Sequence, residues 1–171
     1  MAAGELLIAG RIVPCDGPAL DCDRALLARW TAALPTARVG AIAEAARPLV
    51  SRSEKRALRT LTGADAVDME SAAVARAAEA AGASWLCVRA IVDPADADVP
   101  PAALAGMDGP RTRPGRVLMR LLESPRQLGP VLRLARGARR ARAALVDGAR
   151  RLPSSPSQQR EQHQPMHPPP S

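Results

Sequence analysis

The chain has no phenylalanine, no tyrosine and only two tryptophans, Trp30 and Trp85, among 171 residues. Single-stranded nucleic-acid binders hold bases on aromatic rings, so that class is disfavoured. The two histidines, His163 and His167, both fall in a Pro- and Gln-rich segment at the carboxyl end. Histidine acid–base and triad chemistry is therefore excluded from the folded part, and any catalysis there must run on carboxylates. Three cysteines, Cys15, Cys22 and Cys87, are an odd number without metal-ligand spacing, and no zinc or other metal site is expected. They read as reduced, structural thiols of a cytosolic protein. No apolar run approaches the ~20 residues needed to span a bilayer. The opening "MAAGELLIAGRIVP" has Glu5 where a signal peptide carries positive charge, so a cytoplasmic location is expected.

Lysine is nearly absent as well: Lys55 is the sole lysine among 24 basic residues, and the formal charge is +7. That charge is local. Residues 1–109 hold 11 Arg or Lys against 14 Asp or Glu, whereas 111–151 hold 12 Arg against only Glu123 and Asp147. Abundant Ala with Arg in place of Lys is a bias that a GC-rich coding sequence produces without any binding role. Nucleic acid is thus a weak reading of the charge.

What is present is a chain long enough for one domain with a core. "ELLIAGRIV" (5–13) reads as a strand closed by Pro14, and "TARVGAIAE" (36–44) as a second. Asp23 is placed to cap a helix over 24–33, and Ser53 a helix over 54–61 that ends at Gly63. A short strand at 64–68 precedes a helix over 70–81 with Gly82 behind it. "SWLCVRAIV" (84–92) is an almost unbroken apolar run, as for a strand covered on both faces and paired in parallel with 64–68 in a βαβ unit. The Pro- and Asp-rich stretch 94–114 reads as a loop over the carboxyl edge of the sheet. Helices resume at 115–122 and 126–151, so residues 1–152 form one domain whose part from 115 on is basic and helical. Residues 153–171 have the composition of a disordered tail.

The chemistry-bearing stretch is "AVDMESAAVARAAEAAGASWLCVRAIVD" (66–93). Ligands of open α/β sheets bind beyond the carboxyl ends of strands. Asp68 ends one strand and Asp93 the next, which places both at one crevice. Each carboxylate also has a local reason to exist: Asp68 as a helix cap, Glu70 in the first turn against the helix dipole, Asp93 opening an Asp-Pro turn. Arg89, a charge in an apolar strand, needs an anion, and Asp68 or Glu70 is nearest in the pattern.

"AVDMESAAVA" followed by "VRAIVDPADAD" resembles the signature of the nucleoside phosphorylase and nucleosidase superfamily, a V-[ED]-M-E segment heading a helix and an R-A-I-x-D segment ending the next strand. The pair, with helix and strand between, is far more specific than either half. Within that superfamily "TGADAVDMES" and "RVLMRLLESPRQLGPVLRLARGARRARAAL" look like the hopanoid-associated group, similar to adenosylhopane nucleosidases or phosphorylases. The resemblance implies a three-layer α/β sandwich with a mixed sheet and flanking helices. It implies cleavage of a purine N-glycosidic bond, with Asp93 the general acid at N7, Glu70 accepting from the ribose hydroxyls, Met69 packing on the sugar, and Asp68 and Arg89 lining the site. For that role Asp93 is expected to be buried beneath 94–114.

Val92 departs from the pattern, since many relatives carry a small hydroxyl residue there. The resemblance covers roughly 4–150 of this chain but only the later part of the family fold. The Gly-rich loop and the group that positions water or phosphate have no counterpart, so this chain alone is expected to be inactive, and a non-catalytic remnant or interaction module is the alternative reading. The implied partners are a purine nucleoside, lipid-linked if it is adenosylhopane, and a second copy of the chain in a homo-oligomer. No organic cofactor is implied, and phosphate enters only as a co-substrate. Over 126–151, Arg126, Arg133, Arg136 and Arg140 share one face, and Leu128, Val131, Ala135, Ala138, Leu145 and Leu152 broadly another. Such a helix either packs on the core with a solvated basic face or lies at an anionic membrane surface.

Overall fold

The computed structural model describes residues 1–104 and 114–151. The expected tail at 153–171, and the middle of the expected loop at 94–114, lie outside the described residues.

The sheet is organised by β1 (Leu6–Val13), whose Leu7, Ile8, Ala9 and Ile12 are fully buried. Along one edge β1 pairs in parallel with β3 (Arg38–Glu44), which pairs in parallel with β4 (Ala66–Asp68). Its other edge is shared. The two-residue β2 (Leu20–Asp21) takes Arg11 and Ile12, and β5 (Cys87–Ala90) takes Leu6 to Ala9, both antiparallel. The register against β3 shifts between Ala9 and Arg11, a bulge at Gly10. Without it, side-chain alternation would send Ile12 to the face opposite Leu7 and Ala9. With it, Ile12 pairs with Ile42, which packs with Leu7 and Ala9. Leu7, Ala9 and Ile12 therefore share one face, while the equally buried Ile8 and Ala43 face the other.

The parallel pairing expected between 64–68 and 84–92 does not form. β3 and β1 lie between β4 and β5, and β5 runs antiparallel to β1. The physical reason is the vacancy on β1: β2 covers only its last residues, and the helix after β4, α3 (Ser71–Ala80), crosses the sheet face and delivers the chain to the open remainder. The strand is also half-buried rather than covered on both faces, as an edge position dictates. Trp85 and Cys87 supply its inward contacts, against Ile12, Leu20, Ala72 and Ala75.

The remaining helices follow their caps. α1 (Arg24–Ala33) starts on Asp23, whose side chain accepts from the Leu26 amide at 2.8 Å. α2 (Arg52–Thr62) starts on Ser51, two residues before the expected Ser53. The reason is reciprocity: Ser51 has Glu54 at its third following position and closes a capping box with it, whereas Ser53 has Arg56 there. Gly63 and Gly82 adopt φ +70° and +64°, the left-handed backbone expected just past a helix. A single turn, α4 (Pro101–Leu104), follows the 93–100 segment, then come α5 (Pro114–Glu123) and the long α6 (Leu128–Arg150).

α6 docks through small residues, not through the larger apolar side chains expected to do so. Gly137, Ala141 and Gly148 are buried, while Leu128, Ala135, Ala138 and Leu145 are exposed and Val131 is half-buried; Leu152 lies outside the described residues. Gly148 sits on Leu6 and Leu34, and a Cβ at Gly137 would strike the Val92 carbonyl oxygen. Backbone approach sets this contact, and only Gly or Ala fits it. Arg126, Arg133, Arg136 and Arg140 are all exposed.

Two outcomes are expected. Gly137→Ala should cost about 1–3 kcal/mol, because the obstructing atom is main chain, and an unchanged thermal midpoint would show that α6 does not dock this way. Glu54 accepts hydrogen bonds from the Ser51 amide, Arg47, the Ser51 hydroxyl and the Val50 amide, which hold its pKa at about 2 against an ordinary 4.5. The folded value lies below the unfolded one, so its stabilising effect is complete above about pH 4.5 and is lost as pH falls toward 2. Acid denaturation of Glu54→Gln should accordingly be flatter across that window than that of the native chain; a parallel acid limb would refute the assignment.

Candidate active site

The sheet face that carries Leu7, Ala9 and Ile42 also carries the charges. Asp68 is the last residue of β4 and is paired in register with Glu44, while Arg89 lies in β5 opposite Leu7. Cross-strand pairing puts Leu7, Ala9, Cys87 and Arg89 on one face, and Ile42 and Ala66 continue that face toward Asp68. Arg89 therefore spans the face and takes Asp68 as its anion, Nη2 to Oδ2 2.5 Å, although their strands are not neighbours.

Ser71, at the start of α3 and only 4% exposed, completes the junction. Its amide donates to Asp68 Oδ1 at 3.1 Å, its hydroxyl bonds Asp68 Oδ2, and Arg89 Nη2 donates to the same hydroxyl at 3.0 Å. Cys87 Sγ lies 3.3 Å from it. Burial works against the Arg89 charge, but Asp68, Cys87 and Glu70 outweigh it and raise its pKa above the ordinary value. Among the described residues its buried Nε has no hydrogen-bond partner.

Glu70 occupies the cap position of α3 yet makes no side-chain capping bond. Asp68 serves that end of the helix instead, through Ser71. The Glu70 carboxylate is 64% exposed, 4.0 Å from Arg89 Nη2, with a 3.3 Å bond from the Met69 amide. Met69 is exposed beside it. The arrangement presents an anion and a thioether at an open edge, held by a neighbouring cation.

Asp93 stands apart from this group. Lys55 Nζ, on α2, pairs with Asp93 Oδ2 at 2.5 Å and donates also to the Pro94 and Ala97 carbonyls at 3.3 and 2.8 Å. Three acceptors match the three protons of one ammonium. The lysine side chain is 8% exposed, that of Asp93 34%. The turn after β5 is fastened to α2 again by Arg52, whose amide and Nε reach Asp98, and by the Val99 amide on the Val50 carbonyl. Because β4 and β5 run in opposite directions, Asp68 and Asp93 do not share a crevice merely by ending strands. The four-residue path from Arg89, the partner of Asp68, keeps the Asp93 Cα within about 14 Å of the Arg89 Cα.

Lys55 and Ser71 carry contacts that sequence reasoning passed over. The signal for Lys55 was compositional: a lone lysine in a chain that otherwise uses arginine marks a place where a compact three-proton donor is wanted. Ser71 lies three residues after Asp68, the spacing at which a carboxylate reaches a helical amide. Among the described residues no group of three or more His, Cys, Asp or Glu is arranged to hold a metal ion.

With this geometry in place the chain can be set beside known proteins. A family model described as Phosphorylase superfamily matches residues 8–120. The fold is similar to the 5'-methylthioadenosine/S-adenosylhomocysteine nucleosidase of Campylobacter jejuni, at 23% identity and TM-score 0.53, over 57% of this chain and 52% of that one. A futalosine hydrolase mutant of Helicobacter pylori matches at 21% identity and TM-score 0.53, again over 57% and 52%. The S-adenosylhomocysteine nucleosidase of Streptococcus pyogenes, in complex with 5-methylthiotubericidin, matches at 22% and TM-score 0.57, over 90% of this chain and 63% of that one. At these identities the likeness is one of fold, and the chain spans about half the length of the first two relatives. No curated protein matches.

Removing the ammonium leaves Asp93 and two carbonyls without their donor. Lys55→Met is expected to lower stability by roughly 1–3 kcal/mol, less than for a fully buried pair because Asp93 keeps contact with water. Urea unfolding measures this, and a midpoint equal to that of the native chain would mean the ion pair does not fasten the turn.

Proposed function

The chain belongs to the phosphorylase superfamily, and from that premise we propose that the α3 edge and the turn after β5 form the two halves of a site cleaving the N-glycosidic bond of a purine nucleoside. The observation that carries the reading is Glu70: it heads a helix, is not spent on capping it, and lies exposed within 4.0 Å of Arg89. A carboxylate so placed accepts hydrogen bonds from a ribose, with Met69 against the sugar ring. Asp68 and Arg89 hold the edge in shape and line it.

Breaking the bond sends its electron pair to the purine and leaves positive charge on the sugar. Glu70 stabilises that charge, and Asp93 supplies the proton that lets the base depart neutral. To do so Asp93 must exchange the Lys55 ammonium for a proton and turn toward the base. The nucleophile is water or phosphate. The substrate we favour is adenosylhopane, a lipid-linked adenine nucleoside of hopanoid biosynthesis, on the hopanoid-associated pattern of "TGADAVDMES". The Lys55–Asp93 pair also favours a second reading, in which the acid is permanently engaged and the chain is a non-catalytic interaction module.

Adenine release from adenosylhopane by the purified chain, with and without phosphate, separates these readings. Release, where it is found, is lowered about 10²-fold or more by Asp93→Asn and lowered as well by Glu70→Gln; phosphate dependence identifies the nucleophile. An Asp93→Asn variant as fast as the native chain refutes the acid role, and no release under either condition leaves the interaction module.

A further inference from the structure

We infer that the outward face of α6 is a docking surface for an anionic lipid bilayer. The helix is fixed in rotation by its buried residues Gly137, Ala141 and Gly148, spaced four and seven apart. At 3.6 residues per turn the opposite side carries Leu128, Leu132, Arg139, Val146 and Arg150. The three apolar members are 49%, 45% and 45% exposed, and Arg139, Arg142, Ala143, Val146, Asp147 and Arg150 line one shallow depression. Leucine and valine are thus kept in water on the side away from the core, interleaved with cations.

The charge on this helix selects the occupant. From 128 to 150 there are six arginines and one acid, Asp147, and that acid is taken by Arg151 at 2.8 Å. A second copy of the chain presenting the same face would set arginine against arginine. A nucleic-acid backbone would pair with the guanidinium groups but would leave Leu128, Leu132 and Val146 unburied, since phosphate contacts make no use of them. An anionic bilayer offers both requirements at the right depths: headgroup phosphates for the arginines, and acyl carbon just beneath for the shorter apolar side chains. The inference is independent of the glycosidic chemistry and uses none of its residues.

Co-sedimentation with vesicles of phosphatidylcholine alone, or with about a third phosphatidylglycerol, tests it on the full chain. Each arginine near an anionic surface contributes about 1 kcal/mol. Arg139→Ala is therefore expected to weaken binding to the anionic vesicles roughly fivefold, and Arg139→Ala with Arg142→Ala about 25-fold. Leu132→Ser with Val146→Ser should also weaken it, while helical circular dichroism is retained in all three. Neutral vesicles should bind at least tenfold less. Equal binding to both vesicle types overturns the inference. So does binding that ignores the Leu132 and Val146 substitutions and is displaced by duplex DNA, which would assign the face to nucleic acid.

Discussion

The ion pair between Arg89 and Asp68 ties together two strands that are not neighbours in the sheet. Among the described residues β5 pairs with the first half of β1 alone, and β4 with β3 alone. Arg89 crosses the face between them and meets Asp68 at the start of α3, with the buried Ser71 hydroxyl shared by both. A surface pair contributes little to stability, but here the carboxylate is 13% exposed. Losing Arg89 would leave that carboxylate unpaired in a site closed to most water. The same contact frees Glu70: because Asp68 satisfies the helix end, the residue in the cap position keeps its carboxylate for something outside the fold.

A second fastening, on Lys55, governs the turn after β5. It gathers Asp93 and two carbonyls onto α2, and the capping box of α2 fixes the helix that carries it. Gly137 presses α6 onto the carbonyl of Val92, the residue just before Asp93. The chain around Asp93 is therefore held from one side by an ammonium and from another by a helix backbone. Any chemistry at Asp93 must work within a turn whose path is set, with only the side chain and its ammonium partner left to rearrange.

Much of this was legible in the residues because the signals were local. Asp23 and Gly63 delimit helices through bonds made within a few residues of themselves, and the apolar run "LLIAGRIV" is buried because it is the centre of the sheet. The start of α2 was misplaced by two residues because two serines compete, and only the partner three positions on decides between them. β5 was legible as a strand but not as an edge, since its apolar run reports burial on one side as readily as on two. The wrong face of α6 was chosen for a related reason: pattern reading ranks Leu above Gly, whereas a helix laid against a main-chain carbonyl ranks Gly first.

The sequence by itself determined the main strands and helices, the ends of the longer helices to within about two residues, and the family, through "AVDMES" and "VRAIVD" with a helix and strand between them, but not β2 or the α4 turn inside the expected loop. These depend on short-range bonds and on composition, which are written along the chain. Tertiary structure alone decided where the pieces meet: β5 antiparallel on β1, Arg89 on Asp68, Lys55 on Asp93 and α6 on Val92. Each of those outcomes rests on which edge was left open and how closely two backbones could approach. Both are properties of the assembled sheet, and no single segment encodes them.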